Sequence, residues 1–135
     1  MTDAACAPIE IKAHFPDPQR RPTGAYSPAV SAGGLVVTSG QVGTDPLTGA
    51  VAGDGIATQT RACLQNVQRA LEAAGVTLDR VVKTTVYLTR AEDLAGMDAV
   101  FHEFFPAPHP ARSTVTVAAL ARPAFLVEID ALAVR

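Results

Sequence analysis

The stretch Val81-Val82-Lys83-Thr84-Thr85-Val86-Tyr87-Leu88 is dense in β-branched residues and reads as a strand with at least one well-buried face. It stands between two helical patterns. Before it, Ile56, Thr60, Cys63, Leu64, Val67, Leu71 and Ala74 recur at three- and four-residue steps, and Gly75 follows as a stop. After it, Thr89 and Glu92 make a capping-box pattern. Leu94, Met97, Phe101, Phe104 and Phe105 then form an apolar stripe that Pro106 ends. Further upstream, Ala29-Val30-Ser31-Ala32 and Leu35-Val36-Val37-Thr38-Ser39 flank Gly33-Gly34, a pair suited to a two-residue hairpin turn. Downstream, Ser113–Leu120 and Phe125–Val134 read as two more strands joined by a hairpin over Ala118 to Ala124. The second of these alternates: Val127, Ile129, Ala131 and Ala133 share one face, and Leu126, Glu128, Asp130 and Leu132 share the other. The order β-β-α-β-α-β-β implies an α+β domain in which two helices cover one face of a single mixed sheet. Aliphatic residues remain on the other face, so a homo-oligomer is expected.

At 135 residues the chain is long enough for one compact domain without disulfide stapling. Residues 1–20 read as an N-terminal tail with at most one extended piece, around Ile9-Glu10-Ile11, and residues 21–135 as the domain. Cys63 falls on the helical apolar stripe and Cys6 in the tail. His14, His102 and His109 lack the paired spacing of zinc ligands, so no metal is expected. The formal net charge is −2, and Arg20-Arg21 is the one adjacent basic pair. Nucleic acid is therefore not an expected partner. Asp3 and Glu10 interrupt the N-terminus and no later run is long and apolar enough to span a membrane, which points to a cytoplasmic protein.

The candidate chemistry begins at Arg112, which closes the proline-rich run Phe104-Phe105-Pro106-Ala107-Pro108-His109-Pro110-Ala111 and opens Ser113-Thr114-Val115-Thr116-Val117. Arg112, Thr114 and Thr116 share a strand face. A guanidinium can grip a carboxylate through two parallel hydrogen bonds. The same pattern fits a solvated arginine at a strand end, and spacing alone favours that reading. If the last two strands pair antiparallel, Glu128 can share a face with Arg112 and either orient it or act as a base toward water. A structural salt bridge fits Glu128 equally well. Tyr26, in Thr23-Gly24-Ala25-Tyr26-Ser27-Pro28, could lid a ligand or simply pack. Lys83 as a Schiff-base residue finds no tuning neighbour in the sequence.

Taken in order, Gly24-Ala25-Tyr26-Ser27-Pro28-Ala29-Val30, Ser39-Gly40-Gln41, Asp45-Pro46, Thr48-Gly49, Gln59-Thr60, Asn66, Ala74-Gly75, Val81-Val82-Lys83, Thr85-Val86, Pro110-Ala111-Arg112-Ser113 and Val127-Glu128-Ile129 resemble the RidA family of reactive-intermediate deaminases. The resemblance runs from about Pro22 to the C-terminus. It implies a chorismate-mutase-like α+β fold for residues 21–135, assembled as a homotrimer around a central β-barrel with ligand sites between subunits. The implied reaction is hydrolysis of an enamine or imine such as 2-aminoacrylate to a 2-oxo acid and ammonia, with no cofactor or metal. By the same resemblance Arg112 holds the substrate carboxylate, Glu128 positions or activates water, and Tyr26 lines the pocket; Ser39 and Thr114 are expected in the pocket wall beside Tyr26, and Asp98 is counted with these substrate-binding residues. Three positions depart from the family pattern. Thr114 stands where many members have cysteine, so no thiol-dependent step is expected. Asp98 stands near the pocket where relatives often carry asparagine, and Ala25 replaces a proline. Two alternatives remain: a noncatalytic trimeric module for small-carboxylate binding or protein interaction, and a pathway-specific relative such as an aminomuconate-like deaminase.

Overall fold

The computed structural model describes residues 6–135, so residues 1–5 of the expected tail lie outside the described residues. Its strands are β1 (Ile11–His14), β2 (Ala29–Ala32), β3 (Leu35–Thr38), β4 (Gln41–Val42), β5 (Val81–Leu88), β6 (Ala111–Thr116) and β7 (Val127–Val134). Two helices, α1 (Ile56–Ala73) and α2 (Leu94–Phe104), complete a mixed α+β fold. The strands form one sheet in the order β1-β2-β3-β7-β5-β6, with β4 also pairing with β7.

The core lies between this sheet and the helices. Val86 and Leu88 of β5 and Val127, Ile129, Ala131 and Ala133 of β7 are buried against Cys63, Leu64, Val67 and Leu71 of α1 and Met97 and Phe101 of α2. Removing each large side chain of this kind from water contributes about 1.5–3 kcal/mol. The stop at Gly75 holds: its φ is +80°, its N–H donates to Glu72 O, and the Val76 N–H reaches back to Leu71 O. That pair of bonds satisfies the last helical carbonyls, and buried Val76 packs beneath them. The hairpin also forms as read, with Ala32 opposite Leu35 and Gly33 at φ +57°.

Four expectations are corrected. The capping box does not form: a 3-10 turn at Ala91–Asp93 precedes α2 and neither helical start has a side-chain cap. The Thr89 N–H instead donates to Leu126 O, and Asp93 is held by Arg90 at 2.9 Å. Leu94, read as part of the buried stripe, is nearly half exposed. The extended piece of the tail falls at Ile11–His14 and pairs antiparallel with β2, fixed by a 2.8 Å contact between His14 Nε2 and Ser31 Oγ. Finally, the last two strands are not a hairpin. β6 ends at Thr116 and lies parallel to β5, while β7 lies antiparallel on the other side of β5. The helix crossover after β5 returns the chain parallel to it. The exposed β6 suits the sheet edge, and the alternately buried β7 fills the centre.

The face away from the helices carries Leu35, Val37 and Val115, each 44–46% exposed. Among the described residues no helix is long and apolar enough to cross a membrane.

Candidate functional site

Glu128 projects from β7 on the side away from the helices, beside Tyr87 of β5 and Val42 of β4. It opens into a cleft of about 530 Å³ that Tyr26, Ser39, Gly40, Arg122 and Phe125 also line. The break between β3 and β4 falls at Ser39-Gly40, and the glycine is what admits the carboxylate. A Cβ on Gly40 would overlap Glu128 Oε1 and sit 2.9 Å from its Cδ. Burial, and then the charge of Asp130, raise the pKa of Glu128 above its ordinary value. Asp130 itself accepts a 3.0 Å hydrogen bond from the Tyr87 hydroxyl. Among the described residues Glu128 has no salt bridge and no side-chain hydrogen bond, so its basicity is not spent on a partner.

The cleft walls are held by backbone-directed bonds. Ser39 Oγ donates to Ser27 O at 2.6 Å and the Ser39 N–H to Pro28 O at 2.9 Å, which fixes the segment carrying Tyr26. Tyr26 keeps 58% of its surface exposed at the mouth. On the far side, fully buried Gln59 donates to Gly53 O (3.0 Å) and Ala124 O (2.8 Å) and accepts from the Leu126 N–H (2.8 Å). It thereby clamps the segment that presents Phe125. The sequence placed Gly40 at the end of a strand and named none of Gly40, Gln59, Arg122 or Phe125 as a site residue. Gly40 was findable in principle, because a glycine between two short strands marks a close approach; a three-way backbone clamp by Gln59 leaves no periodic trace.

Arg112 forms a second, separate group. On β6 it pairs with buried Thr84 of β5, which places it on the helix side of the sheet, whereas Glu128 pairs with outward-facing Tyr87. The expectation that Arg112 and Glu128 share a face is therefore corrected: β5 intervenes between their strands, and its register sends the two side chains to opposite sides. Arg112 Nη1 donates to Asp98 Oδ1 at 2.7 Å, and its guanidinium carbon lies 4.7 Å from the centre of the Phe101 ring. The Arg112 hydrogen bond is the first cause of a lowered Asp98 pKa; the positive charges of Arg112, His102 and His109 add to it against some desolvation. His102 Nε2 is 3.5 Å from Asp98 Oδ2 and stacks edge-on with His109 at 5.2 Å. Thr114 shares the Arg112 side, in register with Val86, and is half-buried. The sequence candidates thus divide in two: Tyr26, Ser39 and Glu128 line one cleft, while Arg112, Asp98 and Thr114 share the helix side of the β6 edge. Lys83 is on the open side, donating to Ser113 Oγ at 2.7 Å and Thr84 O at 3.2 Å.

The family model described as Endoribonuclease L-PSP matches residues 18–135. The chain belongs to this family, the RidA family. Among RidA relatives, a protein of Salmonella typhimurium named 2-iminobutanoate/2-iminopropanoate deaminase is 44% identical, the match covering 83% of this chain and 88% of the relative. A RutC family protein of Pyrococcus horikoshii is 41% identical, covering 88% of this chain and 94% of the relative. The crystal structure of RidA from the Antarctic bacterium Psychrobacter sp. superposes with a TM-score of 0.80 at 38% identity, covering 84% of this chain and 91% of that one. Some named RidA relatives are thus imine deaminases, and others carry only a family name.

Proposed function

We propose that this protein hydrolyses small 2-imino acids, and the enamines that tautomerise to them, to 2-oxo acids and ammonia. The observation that carries this reading is the Glu128 carboxylate: half-buried, unpartnered, raised in pKa and seated on Gly40 in an open cleft. An enamine first takes a proton at its β-carbon and gives one up from nitrogen, becoming the imine. Glu128 then accepts a proton from water as the water oxygen bonds to the C=N carbon, and the nitrogen takes up a proton. The carbinolamine collapses as its hydroxyl proton passes to nitrogen and the C–N bond breaks, leaving C=O and ammonia. Atoms balance with one water, and no electrons are transferred.

Arg112 is the anchor for the substrate carboxylate in this reading. It cannot serve the Glu128 cleft of its own protomer from the opposite side of the sheet, so the cleft is completed by Arg112 at the β6 edge of a neighbouring copy. The exposed apolar side chains Leu35, Val37 and Val115, spread over the sheet face away from the helices, support such an assembly, a homotrimer by the family resemblance. The names of the deaminase relatives support short 2-imino acids as the substrate class.

The test is to generate 2-aminoacrylate-derived and larger imines in situ with a lyase or amino-acid oxidase and trap them with semicarbazide. Suppression of semicarbazone by the wild-type protein and its loss in Arg112→Ala are expected. If no imine tested is consumed while small carboxylates still bind saturably, the protein is a noncatalytic binding module instead.

A further inference from the structure

A second pocket, of about 320 Å³, adjoins the Glu128 cleft, and Tyr26, Gly40, Val42 and Thr44 line both. Three arginines line it, Arg20, Arg21 and Arg69, against one carboxylate, Asp17. Imine hydrolysis as derived above uses none of them. Arg20 is committed to local structure, since it donates to Leu47 O and pairs with Asp17 at 3.5 Å. The Arg21 guanidinium carbon lies 4.5 Å from the centre of the Phe15 ring. A cation–π contact uses no N–H donor, and among the described residues Arg21 has no salt bridge and no side-chain hydrogen bond, so its donors are open to an anion. Arg69, exposed on α1, has no salt bridge and no side-chain hydrogen bond among the described residues. With Asp17 matched to Arg20, two guanidinia remain uncompensated around one concavity.

The wall itself is stiff. Pro16, Pro22, Pro28 and Pro46 line the same pocket, and each fixes its own backbone φ, so little ordering entropy remains to be lost on binding. An extended polyanion would need a track of cations, whereas here they gather at one pocket of a chain with net charge −2. A small anionic group fits both the charge and the size.

We propose that this arginine pocket takes the distal acidic group of a dicarboxylic 2-imino acid whose C=N carbon lies beside Glu128. The inference rests on the imine-hydrolase reading and narrows its substrate class. The substrate chain passes Tyr26, which borders both spaces, and its second carboxylate meets the N–H edges of Arg21 and Arg69.

The test compares kcat/KM for 2-iminoglutarate and 2-iminobutanoate, each made in situ, in wild type and in the double variant Arg21→Gln/Arg69→Gln. In parallel, calorimetry measures binding of glutarate and of butyrate, which need no chemistry. The wild-type preference for the dicarboxylic imine should fall about tenfold or more in the variant, with a matching loss of glutarate binding. An unchanged substrate ratio together with unchanged glutarate binding overturns the pocket assignment and leaves the hydrolase reading standing. If no imine is hydrolysed but glutarate binds better than butyrate only while both arginines are present, the pocket stands and the hydrolase reading falls.

Discussion

Glu128 and Arg112 stand on strands separated by a single strand, β5, and their surroundings differ in nearly every respect. Glu128 belongs to a central strand with neighbours on both sides, meets a glycine rather than a counter-charge, and has its pKa raised by burial and by Asp130. Arg112 belongs to an edge strand, donates to Asp98 at 2.7 Å and lies over Phe101. A base is kept basic by withholding partners from it, and a guanidinium is kept in one orientation by supplying them. In the proposed mechanism the first region supplies the base and the second the carboxylate anchor. Their registers on β5 turn the two side chains to opposite sides of the sheet, so the proposed mechanism requires the β6 edge of a second copy to complete the cleft.

The largest effects should come from removing either half. Arg112→Ala is expected to lose about 2–5 kcal/mol of transition-state binding in kcat/KM while the assembly persists in gel filtration, because a desolvated carboxylate loses its partner. Glu128→Gln should lower kcat by about 10²–10⁴ and abolish the acid limb of the pH profile. That limb is expected above the ordinary glutamate value of about 4.3, since the base must be ionised and burial opposes ionisation. Stability should move the other way. A raised folded-state pKa contributes stability that is fully present below the unfolded value and lost as pH rises through the folded one. Thermal melts should therefore show Glu128→Gln more stable than wild type near neutrality, the gap closing in acid.

Gly40→Ala is the next test, aimed only at the Glu128 region. The new Cβ pushes the flexible end of Glu128 aside, so kcat should fall about tenfold to a hundredfold with the melting temperature little changed. Asp98→Asn should be the mildest and touches only the Arg112 region. It keeps an acceptor for Arg112 but removes a competing carboxylate, so KM for an imino acid should fall by about fivefold at most, with kcat nearly constant. The sign of its stability effect is opposite to that of Glu128: Asp98 has a lowered pKa, so its contribution is present above the unfolded value of about 3.9 and fades as pH falls through the folded one.

The same contrast separates what was legible in the sequence from what was not. Helix α1, the Gly33-Gly34 hairpin and the alternation of Val127–Val134 announce themselves through periodicity and turn chemistry, and each formed as read. Tyr26, Ser39 and Glu128 were nameable from their motifs, and one cleft does unite them. The relation of Arg112 to Glu128 was not legible, because a strand pattern fixes which residues share a face of their own strand but not which strand lies next to it. Placing β6 and β7 as a hairpin put both residues on one side; inserting β5 between them put them on two. The Thr89 and Glu92 pattern failed for a related reason, since Leu126 O, contributed by a distant segment, claimed the Thr89 N–H.

The decisive measurement is complementation between two inactive variants. Arg112→Ala and Glu128→Gln proteins, co-expressed in equal amounts so that their subunits mix, should recover activity in the semicarbazide assay. About a quarter of wild-type turnover is expected for random mixing, since a cleft needs the arginine from one copy and the glutamate from another. No recovery from mixed assemblies, with both variants shown to occupy the same oligomers, would contradict a site shared between copies and return Arg112 and Glu128 to a single protomer.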